Sequence, residues 1–275
     1  MLKLFFRKNF YEGWDNLAFF LVPNLIMDAV VALLIFLGYV GRGSLATWIA
    51  ALFIGIVLIC ILNLAFSECA GKFVDYKSVE LKEFFKSFNV NLIFDGIFLG
   101  IIYFLLIIAF GTAFVFYFDV QLDSSGISIG PKSLTGMTAG FVCCWIIFVI
   151  FVALQWFTGV RSILHDNFRK TLKKSFILFF DNIAVSFVLF FYNLFLAALS
   201  IVLFGLAPGA AGIVYAESNA FYLLLKKYDY LDELQKNSFS GISGKVKIPW
   251  KEILKKDEEI TGHRTLKQFI MPWKY

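Results

Sequence analysis

Two carboxylates stand inside long apolar stretches of the chain. Asp28 lies in Pro23-Asn24-Leu25-Ile26-Met27-Asp28 and Glu217 in Tyr215-Ala216-Glu217-Ser218-Asn219. Charges in lipid are costly, so an acidic group in such a run is a candidate for function. Asp28 and Glu217 together suit a proton- or cation-responsive site, with Asn24 and Asn219 as neighbouring polar groups and Pro23 and Pro208 freeing backbone carbonyls. The same residues also suit a structural role, in which each carboxyl bonds to Asn24, Asn63, Gln155, Asn193 or Asn219 across helices. Both readings stay open on the sequence.

Other chemistry is sparse. Cys60, Cys143 and Cys144 lie within apolar runs and Cys69 ends another, without CxxC spacing or a histidine cluster, so no metal site or disulfide framework is expected. His165 and His263 fall in separate segments, and the serines near them have no nucleophile-elbow or phosphate-loop context. No enzyme activity and no cofactor are expected. Glu68 and Arg161, at the ends of two apolar runs, are expected to form a structural ion pair.

The elements carrying these residues follow from composition: 60% of the 275 residues are apolar and 16% charged, the balance of a chain whose solvent is lipid. Six runs are long enough to cross a bilayer: Leu17 to Val40, Leu45 to Phe66, Leu92 to Phe118, Met137 to Val160, Ile177 to Leu206 and Ala207 to Leu225. The last two meet at Phe204-Gly205-Leu206-Ala207-Pro208-Gly209, where glycine and proline favour a reversal. With the N-terminus in the cytoplasm, 23 of the 25 Lys and Arg residues fall on the inner side, leaving Arg42 and Lys132 outside. The expected fold is an all-α polytopic bundle of six transmembrane helices, both termini cytoplasmic, followed by a basic tail: residues 1–227 the membrane domain, 228–275 the tail. No cleavage site follows the first residues, so a retained N-terminus is expected.

Two inner connections, Lys72 to Phe88 and Arg161 to Phe176, mix apolar residues with both signs of charge and read as amphipathic helices on the membrane surface. Lys8 to Asn16 and Lys174 to Asn182 share the pattern K-x-F-x-x-x-[WF]-D-N, and Lys86-Ser87-Phe88 followed by Phe94-Asp95-Gly96 is a looser relative. The bundle therefore reads as three repeated hairpins, with Asp15, Asp95 and Asp181 expected to meet the free amides of the helix starts. In the tail, Pro249-Trp250-Lys251 and Pro272-Trp273-Lys274 repeat a Pro-Trp-Lys unit suited to the membrane interface, and a short helix tethered to the inner surface is expected there.

The stretch Phe204-Gly205-Leu206-Ala207-Pro208-Gly209-Ala210-Ala211-Gly212, with Tyr222 and Lys226-Lys227 after it, resembles the bacterial YesL-like membrane family. The resemblance covers about a tenth of the chain. It implies a multi-helix protein of the bacterial inner membrane, often linked with carbohydrate ABC importers and without an established activity. Two functions are carried forward: a non-catalytic accessory or scaffold protein, and a proton- or ion-linked small-solute carrier using the two carboxyls. Expected partners are the lipid bilayer and a membrane protein or second copy. The net charge of +5 reflects topology, and without a basic soluble domain a nucleic-acid partner is not expected.

Overall fold

The computed structural model describes residues 1–41, 44–123, 126–131, 134–237, 248–262 and 264. Arg42, Lys132, His263 and Trp273 lie outside them. Five helical stretches are long and apolar enough to cross a membrane: α2 (Leu17–Val40), α3 (Leu45–Val74), Val90–Val115 within α5 (Val90–Tyr117), the stretch Leu134–Leu164, and α9 (Ile183–Val202). The fourth is two helices, α6 (Leu134–Leu154) and α7 (Trp156–Leu164), hinged at Gln155, whose amide donates to the Ser186 carbonyl at 2.8 Å.

Shorter elements line one end of these helices: α1 (Leu2–Asp15), α4 (Leu81–Lys86) and α8 (Phe168–Asp181). A final helix α10 (Gly209–Asn237) leads toward two short tail helices, α11 (Trp250–Ile253) and α12 (Lys255–Thr261). One departure from all-α is seen. Between α5 and α6, β1 (Phe118–Asp123) pairs antiparallel with β2 (Gly126–Pro131), Phe118 opposite Pro131 and Asp123 opposite Gly126. The alternation of Val120, Leu122, Ile127 and Ile129 with polar or small residues is a strand pattern.

Apolar side chains are arranged as lipid requires. Phe36, Phe98, Phe110, Ile146, Phe191 and Phe195 point outward and are each more than half exposed. In water such a surface would drive association; against acyl chains it is the solvated face of a multi-pass membrane protein. The core divides into two clusters. One centres on Phe20, Phe66, Phe73 and Tyr215, the other on Phe5, Trp156, Phe221 and Leu224. Both use α10, so the least apolar of the long helices is the most enclosed. Its polar residues are shielded by neighbours whose outer faces meet lipid.

The turn between α9 and α10 stops against the middle of α2. Gly205, at φ 77°, approaches so closely that a methyl group there would lie 2.3 Å from Asp28 Oδ1. Beyond Asp28, α2 runs 12 more residues to Val40, about 18 Å at the helical rise. The α9–α10 hairpin is thus the short one of the bundle.

Candidate functional site

Asn24 is the polar centre of that short hairpin. Its amide donates to the carbonyls of Leu206 at 3.0 Å and Pro208 at 2.9 Å, and its oxygen accepts from the Ala211 N–H at 2.9 Å. Ser200 Oγ accepts from the Gly209 N–H at 2.9 Å. Within the turn, Gly205 N–H donates to Ser200 O and Phe204 N–H to Ile201 O, closing the end of α9. Side chains of α2 and α9 thus supply partners for the backbone groups of the turn. Ile201, Val202 and Phe204, each at least 70% exposed, surround it with apolar surface.

Asp28 and Glu217 are not brought together. Asp28 is half-buried beside Gly205, and among the described residues no donor bonds its carboxylate. Glu217 lies six residues further along α10 than the Asn24-bound Ala211. One oxygen of Glu217 accepts from the Thr158 hydroxyl, the other from the Asn193 amide at 3.1 Å. Gly159 makes this possible: a methyl there would meet the Glu217 carbonyl oxygen at 2.7 Å, so α7 and α10 touch backbone to backbone. Asn219 faces α1 instead, donating to Asn9 Oδ1 at 2.6 Å.

Glu68 and Arg161 meet in a larger group than a pair. Arg161 is 9% exposed; its Nη1 lies 3.3 Å from Glu68 Oε1 and its Nε donates to Asp95 Oδ2 at 2.9 Å. His165 Nδ1 stands 3.2 Å from the other Glu68 oxygen. Above them opens a groove of about 580 Å³ whose rim includes Lys72, Lys82 and Lys86. The guanidinium is matched by two carboxylates, which makes the group a latch joining α3, α5 and α7.

The three aspartates of the repeated pattern do not cap helix starts. Asp15 and Asp181 are the last residues of α1 and α8, each 14 residues long, and Asn16 and Asn182 form the breaks before α2 and α9. Their partners are side chains. Arg264 Nη1 lies 2.7 Å from Asp15, while Asp181 accepts from Tyr228 and from Lys227 at 3.2 Å. The Tyr228 hydrogen bond, with Lys227, holds the Asp181 carboxyl below its ordinary range. Asp95 sits inside α5, where Asn89 supplies the cap by accepting from the Leu92 N–H at 2.9 Å. An Asp-Asn pair after aromatics marks a helix break as readily as a helix start, which is why the pattern misassigns the role.

A further cluster has no sequence signature. Lys8, the first residue of the repeated pattern, is fully buried. Lys77 N–H bonds to Lys72 O and Tyr76 N–H to Phe73 O, so α3 ends in a Schellman turn with Tyr76 at φ 58°. That geometry leaves the Val74 carbonyl open, and the Lys8 ammonium donates to it at the negative end of the helix. The same ammonium stands 3.8 Å from the Tyr76 ring centroid and 4.3 Å from that of Tyr222. Burial lowers the Lys8 ammonium to about 8, against the opposing pull of Asp257. Burial likewise raises the Glu12 carboxyl and the Tyr76 phenol.

Asp257 comes from the tail. It is 1% exposed, with Oδ2 2.6 Å from Lys226 Nζ and Oδ1 accepting from the Tyr222 hydroxyl at 3.1 Å. Trp250 is half-buried and packs with Leu254 against the second core cluster. Trp250 thus rests partly on protein. Among the described residues, no group of three or more His, Cys, Asp or Glu side chains is arranged to hold a metal ion. Comparison with protein families, curated proteins and solved structures finds no match.

Proposed function

We propose that this chain is a non-catalytic accessory or scaffold protein of a bacterial inner membrane, working through its cytoplasmic face. The observation that carries the reading is the closure of Glu217, both of whose oxygens take neutral donors from neighbouring helices. A carrier's coupling carboxyl must be reachable from water. The latch at Arg161 and the Lys8 cluster instead put the charged residues at one end of the bundle, the end to which basic residues are retained.

In this reading six membrane helices form three repeated hairpins with both termini cytoplasmic, and the third hairpin turns back within the hydrocarbon layer. Its turn, Phe204 to Pro208, contains no charged, Ser or Asn residue, as suits a re-entrant tip. The resemblance to the YesL-like family makes a carbohydrate importer the first partner to test, ahead of a second copy.

One observation favours the carrier alternative: Asp28 has no hydrogen-bond partner among the described residues. Purified protein in proteoliposomes decides between them. The accessory reading expects proton and sugar flux equal to empty vesicles. Flux above that level, lost in Asp28→Asn and Glu217→Gln, would overturn it.

A further inference from the structure

We infer that the inner face carries a carboxylate-binding site for an acidic helical segment, and that the chain's own tail occupies it through Asp257. Its receptor part belongs entirely to the membrane domain. Lys226 and the Tyr222 hydroxyl grip the two oxygens of one carboxylate, at 2.6 and 3.1 Å. Lys8 and Tyr76 form the wall behind, the Tyr76 hydroxyl also standing 3.2 Å from Thr261 Oγ1. One ammonium and one phenol bonded to the two oxygens, with a second ammonium, Lys8, against the same Tyr222 ring, are the chemistry of carboxylate recognition.

What fills the site has the character of a ligand. The helices α11 and α12 have four and seven residues, well below the roughly 12–15 at which an isolated helix becomes even marginal in water. Their order comes from the surface beneath. Leu254 supplies the apolar anchor at 1% exposure, Asp257 the charge, and Thr261 the last polar contact. Further along, Arg264 pairs with Asp15 and stacks at 5.1 Å over Tyr11. An apolar residue followed three positions later by an acid, on one helical face, is the recognition element. Because the tail is tethered, its hold is set by effective concentration, and a partner segment with the same apolar-acid spacing competes for the same groups.

The inference rests on the accessory reading for the existence of a partner, whereas the site is tested without any flux measurement. A protease site is introduced between residues 238 and 247 of the full chain, the purified protein is cleaved in detergent, and binding of a fluorescent peptide of residues 248–264 is followed by anisotropy. Saturable binding is expected, weakened about tenfold or more when the peptide carries Asp257→Asn, because a charge-assisted bond is lost. Lys226→Met in the protein should weaken the unmodified peptide similarly, with an unchanged elution volume reporting that the bundle remains folded. An unrelated amphipathic peptide with the Leu-x-x-Asp spacing should compete, and its Lys counterpart should not. Absence of saturable binding, or equal binding of the Asn peptide, overturns the carboxylate site. Failure of the unrelated acidic peptide to compete overturns the partner class, while flux in proteoliposomes would strike the accessory reading alone.

Discussion

Two buried carboxylates separate the regions of this molecule. Glu217 lies inside the bundle and meets only neutral donors, Thr158 and Asn193. Asp257 lies at one end of the bundle, beneath the tail, and meets an ammonium and a phenol, Lys226 and Tyr222. The same chemical group is thus held by interhelical hydrogen bonds at one level and by opposite charge at the other. Neutral partners suffice among lipid-facing helices, where an unmatched cation would be as costly as the acid. At the end of the bundle that holds Asp257 ions meet ions, and there the chain concentrates Lys8, Arg161 and Lys226. On the function proposed above, association governed by charge belongs to that end, and the rest of the bundle is its frame.

Removing one member from each region should expose that difference. The largest effect is expected from Asp257→Ala, which leaves Lys226 and the nearby Lys8 without their buried counter-charge, a loss of about 3–5 kcal/mol. Hydrogen exchange across residues 250–261 should become fast while α2 and α3 stay protected; protection retained in the tail would show that Leu254 alone holds it. Next comes Asn24→Ala. The Leu206 carbonyl and the Ala211 N–H lose their partner and the Pro208 carbonyl keeps the Gly212 N–H alone, for about 2–4 kcal/mol in a setting without water. The thermal midpoint in detergent should fall clearly, and an unaltered midpoint would mean the turn is wetted. Glu217→Gln should cost about 1 kcal/mol or less, since the amide keeps one acceptor and its NH2 can donate to the Thr158 hydroxyl. A larger drop than that of Asn24→Ala would assign Glu217 a charge and break the contrast between the two regions.

The membrane helices were legible because apolar runs about 20 residues long have no other common use, and the reversal at Phe204-Gly205 announced itself through glycine. Depth was not legible. Counting residues from the start of the first helix for Asp28 and back from Lys226 for Glu217 sets both near one level, but depth is fixed by neighbours: Glu217 packs beside Gly159, two residues from Arg161, and Asp28 beside Gly205. Asp15 and Asp181 were visible as a pattern, but whether a pair ends one helix or begins the next depends on φ and ψ at Asn16 and Asn182. The Lys8 cluster left no trace in sequence, because Lys8, Val74, Tyr222 and Asp257 come from four separated segments and share no local spacing.

The smallest expected effect concerns the proton on Lys8. An unfolded lysine holds its proton to about pH 10.4, whereas burial brings native Lys8 to about 8. Below 8 both states are charged and the burial cost is constant. Between about 8 and 10.4 the unfolded chain binds more protons than the native one, so this contribution to stability rises with pH across that window. Facing Lys8 are Asp257, Glu12 and Asp75, which favour the charged form, and Lys226, which opposes it. Tyrosines and other lysines titrate in the same range, so the informative quantity is the difference in thermal midpoint between the native chain and Lys8→Met. That difference should grow in favour of the native chain above pH 8. In the Asp257→Asn background, without the carboxylate that holds the proton on, its onset should move to lower pH. A difference independent of pH would place Lys8 in water and dissolve the distinction between a solvated surface lysine and a buried cation beneath the tail.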